Sequence, residues 1–228
     1  MKRHFDADLD DLRGRLLRMG GLCEEMIHAA VKLVVERDEE HLASVEEWER
    51  QVNRFHLEID DVCLKLLALH QPAAGDLRLI AAALKINSDL ERVGDQAVNI
   101  AETGVFLCKE PRIKLGDIPR MVEVAAGMLK DSLDSFSRGD VDLARDVIRR
   151  DDEEDRLKSQ TFNELVNMMQ RDSSAIARGM DVILIARNLE RIADHATNIA
   201  EDVIFMVLGK DIRHPAEQRE ADGPTATA

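Results

Sequence analysis

The chain has 228 residues, 45 acidic against 31 basic, and a net charge of −14. A surface this acidic repels nucleic-acid backbones and anionic membranes, which argues against both as direct partners, and it attracts cations. Aromatics make up 3%, Tyr is absent, Trp48 stands alone, and Gly and Pro are few, a mixture that suits long helices with aliphatic seams rather than strands.

Taken in chain order, apolar residues recur at alternating spacings of three and four, the signature of a helix seam. The first seam runs Phe5, Leu9, Leu12, Leu16, Met19, Cys23, Met26, Ala30, Leu33, and Arg37-Asp38-Glu39 ends it. Gly20-Gly21 inside this seam weakens a helix, so the pair marks either a close helix approach or a kink. The second seam runs Val45, Trp48, Val52, Phe55, Ile59, Val62, Leu66, Leu69 and stops at His70-Gln71-Pro72, since proline cannot continue a helix interior. A third runs Leu79, Ala83, Ile86, Leu90, Val93, Ala97, Ile100, Gly104, Leu107. Lys109-Glu110-Pro111 then closes a first unit spanning 1–110.

A shorter fourth helix uses Ile118, Val122, Ala125, Leu129, Ser132 and Phe136, and Gly139-Asp140 breaks it. The fifth, over about 141–170, has a looser seam through Val147, Leu157, Leu165 and Met168. The sixth is regular again, from Val182 through Ile185, Leu189, Ile192, Ala196, Ile199 and Val203 to Met206. This second unit spans 111–209, and the polar remainder, 210–228, reads as a disordered tail. Short turns between long helices imply antiparallel neighbours. The fold class is therefore all-α, two tandem and similar three-helix antiparallel bundles.

No apolar run approaches the ~20 residues that a membrane-spanning helix requires. The charged start MKRHFDADLDDL carries no apolar signal core, which reads as a protein that is not exported. Cys23, Cys63 and Cys108 are odd in number and widely spaced, as expected for reduced thiols in a cytoplasm.

Leu90-Glu91-Arg92-Val93-Gly94-Asp95 aligns with Leu189-Glu190-Arg191-Ile192-Ala193-Asp194, and the same offset matches Asn99 with Asn198 and Glu102 with Glu201. Shared polar residues at shared offsets point to an internal duplication. Glu91 and Asp95 lie one turn apart on one face, as do Glu190 and Asp194, and each like-charge pair costs a few tenths of a kcal/mol, about 0.2–0.5. Residues equidistant from a hairpin turn lie level. That sets Glu49 beside Asp95 and Asn53 beside Glu91 in the first unit. In the second it sets Asp151 beside Asp194 and Asp155 beside Glu190.

Oxygen-rich clusters of this kind suit Mg²⁺, Mn²⁺ or iron, with Asn99, Asn198, Glu102 and Glu201 extending the strips. Spacing alone leaves a second reading open, a solvated helix edge including His56 and Asp60, neutralised by Arg92, Arg156 and Arg191. His195 stands where the first repeat has Gln96 and reads as a surface residue. A pair of Glu-x-x-His motifs, as di-iron bundles carry, is absent, and so are a glycine-rich phosphate loop and a GxSxG elbow. The residues thus favour a non-enzymatic protein over a metal-dependent hydrolase, and leave a metal-storing bundle open as an alternative.

The segments RMGGLCEEM, QPAAGDLRLIAAALKINSDLERVGDQAVNIAE and ARNLERIADHATNIAEDVIFMVLG resemble the PhoU family of accessory proteins of bacterial phosphate-specific transport systems, over about residues 3–210. The resemblance implies a cytoplasmic protein, often a homodimer, of two similar three-helix bundles. It also implies multinuclear metal clusters (Mg, Mn, Fe or Zn), held in some members by E(D)xxxD motifs. Here these fall on Glu49 and Asn53, Glu91 and Asp95, Asp151 and Asp155, and Glu190 and Asp194. Asn53 is a poorer ligand than a carboxylate, so the first site should be the weaker. Ala193 stands in a glycine position, and Glu154 in an aliphatic one, which predicts a more exposed face on the fifth helix. The implied role is negative regulation when phosphate is plentiful, linking cytoplasmic subunits of the phosphate ABC transporter to a sensor histidine kinase.

Overall fold

Local signals set where each helix stops. The computed structural model describes residues 4–212, so the tail expected to be disordered lies, from residue 213 on, outside the described residues. Helix α1 spans His4–Lys32 and widens into a π-helical turn, Leu33–Arg37. Arg37 then takes a left-handed φ of 62°, uncommon for a side chain of its size. Its guanidinium donates to the carbonyls of Cys108 and Glu110, which ties this corner to the end of α3. Helix α2 spans Glu40–His70 and ends on Gln71 in a left-handed conformation, directly before Pro72. Helices α3 and α4 span Ala74–Lys109 and Ile118–Arg138, and Gly139, at φ 64°, terminates α4. Asp140 caps α5, Val141–Arg171, accepting from the amides of Asp142 and Leu143. A short 3₁₀ turn, Ser173–Ala175, leads into α6, Ile176–Leu208. Among the described residues there is no strand.

The predicted seams are the buried faces. Every seam residue of α1, α3, α4 and α6 is buried, and a large aliphatic such as Leu12, Leu16 or Leu90, fully enclosed, contributes about 1.5–3 kcal/mol. Leu69 departs from expectation: it is 73% exposed, in the last turn of α2 beyond the packed part of the hairpin. Glu154 departs in the opposite sense. The aliphatic-to-acid exchange was expected to open that face of α5, yet Glu154 keeps its seam position between Val147 and Thr161 and is fully buried. Neighbouring apolar residues hold α5 in place strongly enough to carry one acid into the core.

Helices α1–α3 pack on one another, and so do α4–α6, but the most extensive packing in the molecule is between α3 and α6, one from each unit. These two run antiparallel. Arg78 of α3 donates to the Met206 carbonyl, Lys85 Nζ lies 3.1 Å from Asp202, and Asp89 lies 2.9 Å from His195 Nδ1. Asp202 is almost fully buried, so Lys85 neutralises a charge that would otherwise be costly there. Helix α1 also packs on α4. A Cβ at Gly20 would overlap the Leu133 side chain, whereas one at Gly21 would meet open space. Close helix approach is therefore the reason for Gly20.

Candidate functional site

The two acid strips flank the joined repeats on α2/α3 and α5/α6. In the first, Gly94 faces Val52, and the buried Asn87 amide donates to the His56 carbonyl and to Asp60 Oδ1. That register puts Glu49 near the level of Asp95 and Asn53 near that of Glu91, as the count from Pro72 predicts. Glu49 and Glu91 are half-buried, whereas Asn53, Asp95 and Glu102 are exposed. His56 and Asp60 are not merely a solvated edge, because Asn87 anchors both from the core.

The second strip is tighter, and its register differs from the count. Gly179 faces Met169, and Thr197 Oγ1 lies 3.4 Å from Asp151 Oδ1. These contacts move the hairpin by less than one turn from the count, and the expected partners still meet: Asp151 acts on Asp194, and Lys158 bridges Asp155 and Glu190. The physical reason is the 3₁₀ turn, which lengthens the connection and moves its midpoint. Asp151, Asp155, Glu190 and Asp194 still share one field. Burial, then Asp155, raises the pKa of Asp151; burial, then Glu190, raises that of Asp194. Glu154 lies in the same field, its pKa pushed up to about 8 by burial and then by Glu153 and Glu190. Neither of its carboxylate oxygens has a hydrogen-bond partner.

The cation that offsets this cluster is one the sequence reading missed. Lys158 Nζ lies 2.6 Å from Glu190 and 3.1 Å from Asp155. Its pKa is raised, chiefly by the bond to Glu190. Arg156, expected as a neutraliser, bonds Gln160 instead. Lys158 was legible in principle, because it sits one turn beyond Glu154 on the strip side of α5. Among the described residues, no three acidic, His or Cys side chains close on one point as a metal site. The donors are nonetheless the hard oxygens that Mg²⁺-like or iron-type ions take, and Glu154 adds two unbonded ones.

His195 and Asn198 do not extend the strip. Both turn toward α3 and meet Asp89 Oδ1, at 2.9 and 3.3 Å. His195 is only 11% exposed, so the surface reading is corrected: it lies at the seam between repeats. Glu201 is half-buried beside that seam. All three cysteines are free; Cys23 and Cys63 are buried, and burial raises both thiols, Cys63 to about 12.

Two three-helix repeats joined through α3 and α6, each bearing an acid strip on the last two helices of its bundle, define a duplicated helical-bundle protein. The family model of the PhoU domain matches residues 16–104 and again 118–203. The chain belongs to the PhoU family. It is 40% identical to the phosphate-specific transport system accessory protein PhoU homolog of Pseudomonas putida, over 96% of this chain and 86% of that one. The homolog from Pseudomonas aeruginosa is 42% identical, over 94% and 89%. The crystal structure of PhoU from Pseudomonas aeruginosa superimposes with a TM-score of 0.88 at 40% identity, covering 91% of this chain and 100% of that one. The phosphate transport system regulatory protein PhoU from Streptococcus pneumoniae gives 0.86 at 27% identity, covering 92% and 99%.

Proposed function

We propose that this protein is a non-enzymatic, cytoplasmic accessory regulator of phosphate transport. It acts as a homodimeric adaptor between the cytoplasmic subunits of a phosphate ABC transporter and a sensor histidine kinase, and it holds the phosphate-starvation response off when phosphate is plentiful. The observation that carries this reading is the similarity along nearly the whole chain to accessory proteins of phosphate-specific transport systems. An adaptor also needs surface to offer. Ile176, Met180 and Leu184 form an exposed apolar stripe at one-turn spacing on α6, and the exposed Phe162 lies beside it on α5. Contiguous exposed apolar residues of this kind mark interaction surfaces. Among the described residues, no helix is long and apolar enough to cross a membrane.

The acid strips fit this reading as cation sites. Asp151, Asp155, Glu190 and Asp194, with Glu154 behind them, would hold a hard divalent or iron-type ion once Lys158 swings aside. Glu49, Asn53, Glu91 and Asp95 would hold one more weakly. Such an ion would supply charge at a contact surface. The test is purification of tagged protein from a phosphate-rich culture. Transporter subunits and a histidine kinase should co-purify, and a deletion strain should express alkaline phosphatase in rich phosphate. A lone protein together with a wild-type response in the deletion strain would sink the reading.

A further inference from the structure

A cleft of about 580 Å³ lies where the connection between the two units crosses the α5–α6 turn. Four bases line it: Arg112 and Lys114 from the connection, Arg171 from the end of α5, and Arg178 from α6. Two acids share the lining, Glu164 and Asp172, which leaves a positive excess in a chain whose net charge is −14. Asp172 keeps its charge, held by the amide and hydroxyl of Ser174 and facing Arg178, so the excess rests on Arg112, Lys114 and Arg171 against Glu164. Arg112, Lys114 and Arg171 make no hydrogen bond or ion pair among the described residues. Gathering unpaired like charges costs Coulomb energy that an anion would relieve.

The cleft is held open by bonds on both sides. Arg178 donates to the carbonyls of Pro111 and Ser174, at 3.3 and 3.2 Å, and so clamps the connection to the start of α6. The Asp117 amide donates to Thr161 Oγ1, which fastens the far end of the connection to α5. The walls between the bases are apolar, with Leu165, Met168 and Ala175. The volume lies within the roughly 300–1,000 Å³ of small-molecule sites, far more than a bare phosphate fills. Guanidinium groups match phosphate oxygens in geometry and charge, and a flat apolar moiety matches the walls.

The geometry points to this cleft as a binding site for an organic phosphate of nucleotide size, separate from both acid strips. Its phosphates meet Arg112, Lys114 and Arg171, and its base or equivalent lies against Leu165 and Met168. A ligand there braces the inter-unit connection against the α5–α6 end of the second bundle.

The experiment is calorimetric titration of the full chain with ATP, GTP, adenosine, pyrophosphate and inorganic phosphate, in EDTA so that no metal bridges phosphate to the acid strips. A nucleotide should bind more tightly than pyrophosphate or phosphate, and less tightly as salt is raised. The double variant R112E/K114E, in exposed positions, should bind it at least about tenfold more weakly, since two charge-assisted contacts are lost. Its thermal melt without ligand should match wild type, and E190A/D194A should bind nucleotide normally. Absence of binding to every phosphate probe up to millimolar concentration overturns the proposal. So does unchanged affinity in R112E/K114E, or inorganic phosphate binding as tightly as nucleotide.

Discussion

Replacing Glu154 with Leu should stabilise this protein, and by more as the pH rises. The carboxyl is fully buried and neither oxygen is bonded. Burial and the neighbouring acids raise its pKa from 4.5 to about 8. At neutral pH the folded chain therefore keeps a proton that the unfolded chain releases. The folded state binds more protons throughout that window, so stability falls as pH climbs from 4.5 toward 8 and levels off above it. One pKa unit is worth about 1.4 kcal/mol, which sets the handicap at roughly 1 kcal/mol near pH 5 and roughly 3 kcal/mol near pH 7. Leucine removes the handicap and restores apolar contact with the seam around Val147 and Leu157. The assay is urea unfolding of both proteins near pH 5, 7 and 9, in EDTA. The stability difference should widen by roughly 2 kcal/mol from pH 5 to 7. A difference that ignores pH, or a variant less stable than wild type near pH 7, refutes the reasoning.

Adjacent glycines should answer alanine with opposite signs. Gly20→Ala drives a methyl into Leu133 and should cost about 1–3 kcal/mol, while Gly21→Ala points into open space and should gain about 0.5–1 kcal/mol through helix propensity. Chemical unfolding of the two variants checks this, and equal effects would argue against close packing of α1 on α4. Glu190→Ala with Asp194→Ala should lower the divalent metal carried by purified protein, measured by elemental analysis. Glu91→Ala with Asp95→Ala should lower it less, because Asn53 already weakens the first strip. Unchanged metal content in both variants would remove the cation reading of the strips.

Six helices, their ends and most of their buried faces were legible because each depends on local chemistry. A seam needs only the spacing of Leu, Ile, Val and Ala, and the breaks at Gln71-Pro72 and Gly139-Asp140 need only φ and a missing donor. The first acid strip was placed level by counting from Pro72. The second lies within one turn of the count, shifted because the 3₁₀ segment Ser173–Ala175 carries no pattern of its own in three residues. Lys158 escaped notice for a related reason: a lysine between acids on α5 looks like any surface base until α6 brings Glu190 within 2.6 Å.

The duplication, the all-helical class and the acid strips on α3 and α6 follow from the sequence, since they rest on periodicity and repeated residues. How the repeats meet does not. Asp89 with His195, Lys85 with Asp202, and Gly20 beneath Leu133 are contacts between residues far apart in the chain, and periodicity says which face is buried but not against what. The same is true of Glu154, whose charge reads as exposed by residue type. Only the packed neighbours that exclude water decide that it is a buried, largely protonated acid.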